Sequence, residues 1–373
     1  MTRHHTLVLV SVLALLVCRP LSGQESEPNY RRALPGYEYE FPRDHGAHPD
    51  YKLEWWYYTG HLFTDAGRSF GYELTFFRFG MDQVADNPSA WNVRDLHVAH
   101  FALSEPEAND DSQRFRFYER VNRGGPGIAH VSEETLDVGN ESWTARLDGD
   151  VMKLRAYADG ILLELELRSD KPPAIHGIDG VSQKADGVGQ ASHYYSMTRM
   201  ETSGLVSIDG DAQIVTGESW MDHEFGTSQL APEQVGWDWF SLQLDNGQEL
   251  MLYQIRRSDG GIDHNSSGTV VAEDGPTRHL TSEQFSVDSF RSWESPETGA
   301  VYALDWAVEI PGENTRLRVT PRMDGQEMAT IRSTGFPYWE GSVQVEGTWR
   351  GEPVLGQGYV ELTGYGDGHR PEI

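Results

Sequence analysis

Cysteine is nearly absent from the chain: the one cysteine, Cys18, lies at the end of an apolar run near the N-terminus. A short basic stretch precedes that run, and small and polar residues follow it up to Gly23. This order is typical of a secretory signal peptide, which we expect to span residues 1–23. Once it is removed, the mature chain has no disulfide, no thiolate nucleophile and no sulfur ligand for a metal.

Long apolar runs are also absent after the N-terminal segment, since none approaches the roughly 20 residues that cross a bilayer. We therefore expect a periplasmic or secreted protein that is not integral to a membrane. A lipoprotein is the alternative, because residues 15–18 (LLVC) resemble a lipid-attachment box. Against it, Val17 is bulkier than the small residue that such processing prefers.

Positive charge is scarce: 30 basic residues stand against 58 acidic ones, for a formal net charge of −28. Lysine occurs at four positions only, Lys52, Lys153, Lys171 and Lys184. A surface this acidic repels nucleic acid and anionic lipid headgroups, so neither is an expected partner.

Helical periodicity is missing as well, whereas aromatic and β-branched runs recur between Asp-Gly and Asn-Gly turn dipeptides. The sequence therefore predicts an all-β fold built from antiparallel hairpins. Its length allows two domains, which we place at residues 51–203 and 204–373, with a boundary near 200–204. Residues 24–50 have no periodicity and are predicted to be a leader segment that wraps the surface.

The densest cluster of candidate functional residues lies between Gly217 and Arg256. If Asn246-Gly247 forms a two-residue type I′ turn, the strands around it pair Phe240 with Tyr253. Asp238 and Tyr253 would then share one apolar face of the hairpin, with Trp237 and Trp239 on the other. Burial would favour the neutral form of the Asp238 carboxyl and make it a proton donor. An Asp satisfied by backbone amides is the structural alternative.

A second candidate is Asp222-His223-Glu224, in which a histidine lies between two acids. An adjacent carboxylate can fix the tautomer of a histidine and raise its basicity, so His223 is a candidate general base with Asp222 as its orienting partner. Neighbouring residues on a regular strand point to opposite faces, so a direct contact between them requires a bulge. A structural hydrogen bond of His223 is the alternative.

Other kinds of site lack support in the sequence. His97 and His100 are three residues apart, so on a strand they face opposite sides and do not predict a metal site. Ser196 and Ser219 lack the Gly-x-Ser-x-Gly setting of a hydrolase nucleophile. No glycine-rich loop joins a strand to a helix, so no nucleotide cofactor is expected.

Five segments together resemble the carotenoid 1,2-hydratase and AttH-like family, and they span nearly the whole mature chain in order. They are residues 54–62 (EWWYYTGHL), 100–103 (HFAL), 194–199 (YYSMTR), 220–226 (WMDHEFG) and 358–365 (GYVELTGY). The resemblance implies two consecutive lipocalin-like barrels and a hydrophobic small-molecule ligand. Characterised hydratases of this group add water to a terminal polyene double bond without a cofactor, whereas related proteins catalyse cyclisations.

The resemblance also implies roles for the candidate residues. A hydratase needs a carboxylic acid to protonate the alkene, aromatic faces to stabilise the cation and a base to guide water. The predicted catalytic residues are His223, Asp238, Tyr253 and Asp222. The predicted ligand-binding residues are Trp237, Trp239, Trp55, Trp56, Tyr57 and Phe240.

Two functions remain open at this point. In the first, the protein is a hydro-lyase that adds water to an apolar ligand held between or within the barrels. In the second, it carries a lipid or similar ligand for an envelope ABC transporter, because exported members of the family are encoded beside transporter permeases. A buried acid that opens to the cavity favours the enzyme, and a cavity with apolar walls alone favours the carrier.

Overall fold

The computed structural model describes residues 30–81, 93–124, 127–227 and 230–366, and within them the chain is almost entirely β-strand. The predicted signal peptide and Cys18 lie outside these residues. The helical elements are the short α1 (Asp111–Arg114) and two 3₁₀ turns, Arg43–His45 and Pro311–Glu313. None of the described helices is long and apolar enough to cross a membrane.

Two antiparallel sheets are formed by the described strands. The first sheet contains β1 (Leu53–Phe63), β2 (Ser69–Gly80), β3 (Asp95–Ser104), β4 (Phe115–Arg123), β5 (Ala129–Val131), β6 (Asp137–Asn140), β7 (Trp143–Asp148), β8 (Val151–Ala158), β9 (Ile161–Arg168), β10 (Ala174–Ile175), β11 (Ser182–Gln183), β12 (Ala191–Ile208) and β13 (Asp211–Gly226). The second contains β14 (Gln234–Leu244), β15 (Glu249–Arg257), β16 (Ser267–Val271), β17 (Thr277–Thr281), β18 (Ser286–Glu294), β19 (Val301–Ile310), β20 (Thr315–Pro321), β21 (Glu327–Met328), β22 (Tyr338–Trp349) and β23 (Glu352–Thr363).

The first sheet curls into a nearly closed barrel, and the second forms a half-barrel, so the predicted all-β, lipocalin-like fold is confirmed. The edges of the first sheet approach one another where Arg120 of β4 donates a hydrogen bond of 2.8 Å to the carbonyl oxygen of Asn140 on β6. Each sheet covers its own apolar core, because inward-facing residues alternate with outward-facing ones along every strand. Trp56, Tyr58 and Leu74 belong to the first core.

The change from one sheet to the other does not fall at the boundary predicted near residues 200–204. Those residues lie in the middle of β12, which pairs with β9 and β13 of the first sheet on its two sides. The chain passes to the second sheet after β13 ends at Gly226 and before β14 begins at Gln234. Gly204 resembles a turn residue in the sequence, but it continues the strand, with the carbonyl oxygen of Glu164 packed closely against it.

The hairpin of β14 and β15 corrects the predicted register by one residue. Trp239, not Phe240, pairs with Tyr253. The loop has three residues, 245–247, closed by a hydrogen bond from the Leu244 amide to the carbonyl oxygen of Gln248. A type I′ turn needs positive φ at both central residues, and here Gly247 has it while Asn246 does not. Asp238 therefore lies on the opposite face from Tyr253, which shares its face with Trp237 and Trp239.

The outer faces of the two sheets pack against each other and form a third apolar core. Its buried members are Tyr57, Tyr194, Trp220, Trp239, Met251, Tyr253, Ile255 and Tyr359. Polar contacts cross the same junction. The buried carboxylate of Glu249 on β15 accepts hydrogen bonds from Thr198 and Arg199 of β12 and from Lys171, which lies between β9 and β10. At this junction the outward-facing side chains of both sheets therefore meet protein rather than solvent, and a pocket opens between the sheets.

Candidate active site

The pocket lies between the outer faces of the two sheets and takes walls from both. Its lining residues are Leu53, Trp55, Tyr57, Thr75, Phe77, Lys184, Ala191, Ser192, Tyr194, Asp222, Glu224, Gly226, Leu230, Trp237, Trp239, Tyr253, Ile255, Tyr338 and Glu361. The cavity has a volume of about 140 Å³. The walls are mostly apolar and eight of the lining residues are aromatic, with three carboxyl groups and one amine among them, which is the composition of a site for an apolar small molecule.

Asp222 is a buried carboxyl on the pocket wall, placed there by the alternation of β13. Three donors hold it: the hydroxyl of Ser196 and the indole of Trp220 reach Oδ1, the latter at 2.6 Å, and the hydroxyl of Tyr194 reaches Oδ2 at 2.5 Å. A carboxyl group has about four acceptor positions, so one remains on Oδ2. Burial raises the pKa of Asp222 to about 7, although the three donors act to lower it.

The hydroxyls that hold Asp222 are themselves fixed by further hydrogen bonds, which extend to residues of the second sheet. Tyr194 accepts a hydrogen bond of 3.0 Å from the indole of Trp239. Ser196 lies 2.6 Å from Nε2 of His176, whose Nδ1 lies 2.8 Å from the hydroxyl of Thr269. Burial holds the pKa of His176 well below its usual range, so the imidazole is neutral. Since Ser196 donates to the carboxylate, Nε2 carries the proton and Thr269 donates to Nδ1.

A second carboxyl, Glu361 of β23, enters the same pocket from the other sheet. The indole of Trp237 donates a hydrogen bond of 2.5 Å to its Oε1. Burial, together with the smaller effect of the negative charges of Asp222 and Glu224, raises the pKa of Glu361 to about 7, against the lowering effect of the Trp237 hydrogen bond. The pocket therefore contains two carboxyl groups that exchange protons near neutral pH.

More buried acids lie next to Glu361. Glu340 accepts a hydrogen bond of 2.7 Å from the hydroxyl of Tyr57, and burial together with the charges of Glu361 and Glu73 raises its pKa well above the usual range. Burial also raises the pKa of Glu73 to about 8. These groups are uncharged over much of the neutral range, which reduces the cost of burying several acids together.

One ion pair completes the pocket. The ammonium of Lys184 lies 3.1 Å from Oε1 of Glu224, which also accepts a hydrogen bond from Ser192. The ammonium lies over the rings of Tyr253 and Tyr194, at 4.2 and 5.1 Å from their centroids. Burial is the largest single effect on the pKa of Lys184 and acts to lower it, but the charge and hydrogen bond of Glu224, with smaller contributions from Tyr253 and Asp222, together outweigh burial and raise that pKa.

Six of the ten residues predicted from the sequence lie in this pocket. They are Asp222, Tyr253, Trp237, Trp239, Trp55 and Tyr57. The other four do not line it: Trp56 and His223 face the interior of the first barrel, and Asp238 and Phe240 face the core side of the second sheet. His223 and Asp238 were both predicted to be catalytic, but they share no pocket with each other or with Asp222, because each lies on the far side of its own sheet.

His223 belongs to a polar network inside the first barrel. Its Nε2 lies 3.0 Å from Glu54, its Nδ1 lies 3.0 Å from the carbonyl oxygen of Asp44, and its ring stacks on Trp56. Strand β13 pairs regularly with β1 across residues 222 and 223, so no bulge brings Asp222 and His223 together. His223 thus ties the segment before β1 to the barrel, as in the structural alternative.

His48, Glu54 and His223 are the one group in the described ranges whose ligand atoms are close enough together to hold a metal ion. Those atoms already bond to one another: Nδ1 of His48 lies 2.8 Å from Oε1 of Glu54. The guanidinium of Arg78 donates a bond of 2.9 Å to Oε2 of Glu54, and its positive charge opposes a cation there. The geometry is that of a buried ion-pair network.

Asp238 is likewise held by structural partners. The guanidinium of Arg256 donates a hydrogen bond of 2.9 Å to its Oδ1, and the hydroxyl of Tyr365 donates one of 3.0 Å. Arg256 also covers the ring of Tyr365, 3.8 Å from its centroid. Asp238 therefore anchors the segment after β23.

Several residues that line the pocket were not predicted from the sequence, among them Lys184, Glu224, Tyr194 and Glu361. Signals for some of them exist. Lys184 is one of only four lysines, and Tyr194, Glu224 and Glu361 lie in segments that carry the family resemblance. What the sequence did not show was that residues so far apart in the chain, on two sheets, meet at one place.

The fold and the pocket define a class of protein: two consecutive lipocalin-like sheets that enclose proton-exchanging carboxyl groups in an aromatic pocket between them. The chain belongs to the AttH-like family, whose model matches residues 32–365. A crystal structure from Nitrosomonas europaea that carries the name AttH is 35% identical to this chain, with a TM-score of 0.81, and the match covers 90% of this chain and 99% of that one.

Two named relatives are more distant. The kievitone hydratase of Fusarium solani subsp. phaseoli is 24% identical over 246 residues, which cover 64% of this chain and 67% of that protein. The dehydratase asqC of Emericella nidulans is 22% identical over 270 residues, 67% of this chain and 73% of that protein. The crystal structure of kievitone hydratase from Nectria haematococca shares the fold, with a TM-score of 0.68 at 16% identity over 90% of this chain and 96% of that one.

Proposed function

We propose that this protein adds water to, or removes it from, an apolar small molecule bound between the two sheets. The observation that carries the proposal is the Asp222 carboxyl, which lies on the pocket wall with a pKa of about 7 and one oxygen position left by its three donors. An acid whose pKa lies near the working pH both gives and takes protons efficiently.

Water addition needs an acid and a base at one substrate, and the pocket offers two carboxyl groups for those roles. Since Asp222 and Glu361 each have a pKa of about 7 and the charge of Asp222 opposes ionisation of Glu361, one is protonated when the other is ionised. The protonated group gives its proton to an alkene carbon or a leaving hydroxyl. The ionised group takes a proton from water or from carbon.

The aromatic walls supply the binding surface and stabilise positive charge. Trp237 and Trp239 contribute indole rings to the pocket from the second sheet, and Trp55 and Tyr57 contribute rings from the first. A ring face attracts a carbocation through its quadrupole. The names of two relatives, a hydratase and a dehydratase, agree with water chemistry in either direction.

The test follows oxygen from isotopically heavy water into or out of an apolar probe, read by mass spectrometry. Kievitone, the compound in the name of one relative, is the first probe, followed by other apolar alkenes and their hydrates. The Asp222→Asn variant is expected to lose about 10²–10⁴ in rate while still binding the probe.

Asp238→Asn is the matched control, because it makes the same change at a buried carboxyl outside the pocket. It is expected to keep the rate per folded molecule. If both variants bind the probes like the wild type and none of the three proteins exchanges oxygen with water, the protein carries its ligand without transforming it, and the proposal is wrong.

A further inference from the structure

Lys184 is the one cationic side chain among the described residues that line the pocket, and both sheets hold it in place. It follows β11, and its carbonyl oxygen accepts a hydrogen bond of 2.8 Å from the side chain of Gln234 on β14. The hydroxyl of Tyr253, on β15, donates one of 3.1 Å to the carbonyl oxygen of the preceding residue, Gln183. The ammonium is therefore positioned by contacts along the backbone that carries it.

The contacts of this ammonium leave hydrogen-bonding capacity for a ligand. An ammonium has three N–H donors, and the contact with Glu224 at 3.1 Å uses one of them. The rings of Tyr253 and Tyr194 cover it without offering a strong acceptor. Since the side chain of Lys184 is only 22% exposed, its environment is the pocket rather than bulk water.

The charges of the pocket decide which acceptor fits. Three carboxyl groups, Asp222, Glu224 and Glu361, line it together with this single amine. An anionic ligand would meet the charge of Glu224 and whatever charge the other two carry, at low dielectric. An uncharged acceptor avoids that repulsion and still gains a charge-assisted hydrogen bond.

We propose that Lys184 binds the carbonyl oxygen of an uncharged apolar ligand, so the substrates are ketones or enones rather than carboxylates or simple hydrocarbons. This inference rests on the proposed function, because it places the carbonyl in the same pocket as Asp222 and Glu361. Lys184 is then a catalytic residue that contacts the substrate.

A carbonyl at Lys184 also makes the reaction easier, because it then passes through an enolate rather than a carbocation, and the aromatic walls serve to bind the apolar part of the ligand. In the dehydration direction, the ionised carboxyl takes the proton from the carbon next to the carbonyl, and the electron pair moves onto the carbonyl oxygen as an enolate held by the ammonium. The electrons then return to form the carbon–carbon double bond as the β-hydroxyl leaves with the proton of the second carboxyl. One C–H and one C–O bond break, one C=C bond forms, and one water is released. Hydration is the reverse.

The experiment compares three probes that each carry two phenyl rings on one carbon: benzophenone, diphenylmethane, which lacks the carbonyl oxygen, and diphenylacetate, which carries a carboxylate. Equilibrium dialysis gives the affinity of each probe for the wild type, for Lys184→Met and for the control Lys153→Met. Lys153 serves as the control because it forms an exposed ion pair with Asp148 outside the pocket. The wild type is expected to prefer benzophenone over diphenylmethane by about tenfold. That preference is expected to vanish in Lys184→Met and to persist in Lys153→Met.

Two results would overturn the inference: an unchanged preference in Lys184→Met, or tightest wild-type binding of diphenylacetate, which would identify an anion site. Lys184→Gln is measured beside Lys184→Met, with melting temperatures, so that a folding defect in one variant is recognised. The outcome is independent of turnover, since Asp222→Asn is expected to keep the ketone preference. A ketone preference without oxygen exchange would contradict the proposed function alone, and exchange without the preference would contradict this inference alone.

Discussion

Asp222 shows how two opposing effects set the protonation of one side chain. Burial favours its neutral form, while hydrogen bonds from Ser196, Tyr194 and Trp220 favour the ionised form. Burial is the larger effect, and the result is a pKa of about 7 rather than the ordinary value of an aspartate. The same three donors fix the position of the carboxyl, so the group is both oriented and ready to exchange a proton.

The Tyr194→Phe variant tests this balance. It removes the donor to Oδ2 that stabilises the ionised form, so the pKa of Asp222 is expected to rise, and the pH dependence of the rate to move upward by about one pH unit. Tyr72→Phe is the matched control, because that hydroxyl bonds Ser219 inside the first barrel. A Tyr194→Phe profile that overlays the wild type, or moves toward acid, would contradict the assigned balance.

At the scale of strands and turns, the hairpin of β14 and β15 shows what the sequence predicts well and where it misleads. Alternation correctly grouped Trp237 with Trp239, and Asp238 with Phe240, on opposite faces. The pairing with β15 was wrong by one residue, because Asp245 joins Asn246-Gly247 in a three-residue loop. A register shift of one residue moves every cross-strand partner to the other face of the sheet. Tyr253 therefore lies on the pocket face with Trp237 and Trp239, and Asp238 lies on the opposite face.

Only part of the candidate site could be predicted from the sequence. Asp222 and the tryptophans were found because acids and aromatics on one short segment are visible in the sequence. Lys184 and Glu361 were not found, since they lie 38 and 139 residues from Asp222 along the chain and Glu361 comes from the other sheet. The all-β fold needed no such information, because turn dipeptides and alternation are local signals.

Two hairpins, β1–β2 and β14–β15, have the same kind of turn, and their turn glycines allow the turn assignment to be tested. Gly247 and Gly67 both have positive φ and close three-residue loops with the same hydrogen bonds. Replacing either by Ala is expected to lower the free energy of unfolding by about 1–2 kcal/mol, since an L-residue is strained there. Gly247→Ala is expected to cost at least as much, because the new methyl would lie 2.9 Å from Glu273, whereas the space around Gly67 is open. Urea titration measures both, and an unchanged stability of Gly67→Ala would contradict the turn assignment.

At the scale of the whole molecule, the pocket exists because the two sheets pack through their outer faces. Neither sheet alone encloses Asp222, since the indoles of Trp239 and Trp237 come from the second sheet. Buried polar contacts such as that of Glu249 with Lys171 and Arg199 hold the junction together. A change that loosens the junction would therefore open the pocket and return the raised pKa values toward ordinary ones.

The raised pKa of Asp222 makes the stability of the whole molecule depend on pH. The folded state keeps the Asp222 proton up to about pH 7, whereas the unfolded chain releases it near 3.8, so the folded state binds more protons between these values. Stability therefore falls as the pH rises through this window, by about 4 kcal/mol from this group in total. The pKa of Asp44 is lowered to about 2, so this group makes stability rise with pH, but only between about pH 2 and pH 3.8, below the window of Asp222.

The measurement is the difference in free energy of unfolding between wild type and Asp222→Asn, followed from pH 4 to pH 8. The wild type is expected to lose stability relative to the variant as the pH rises, because the amide of the variant does not titrate. A constant difference would mean that Asp222 ionises alike in the folded and unfolded chain, contrary to its burial in the pocket wall.

A pocket carboxyl with an exchangeable proton near neutral pH can be observed by infrared difference spectroscopy of the wild type against Asp222→Asn. The C=O stretch of a protonated carboxylic acid is separate from that of a carboxylate, so the difference spectrum isolates Asp222 at each pH. The structure predicts that its protonated band persists through pH 5 and is half lost near pH 7. A band that is already lost near pH 4, as for an exposed aspartate, would mean that Asp222 is not the proton-exchanging group of the pocket.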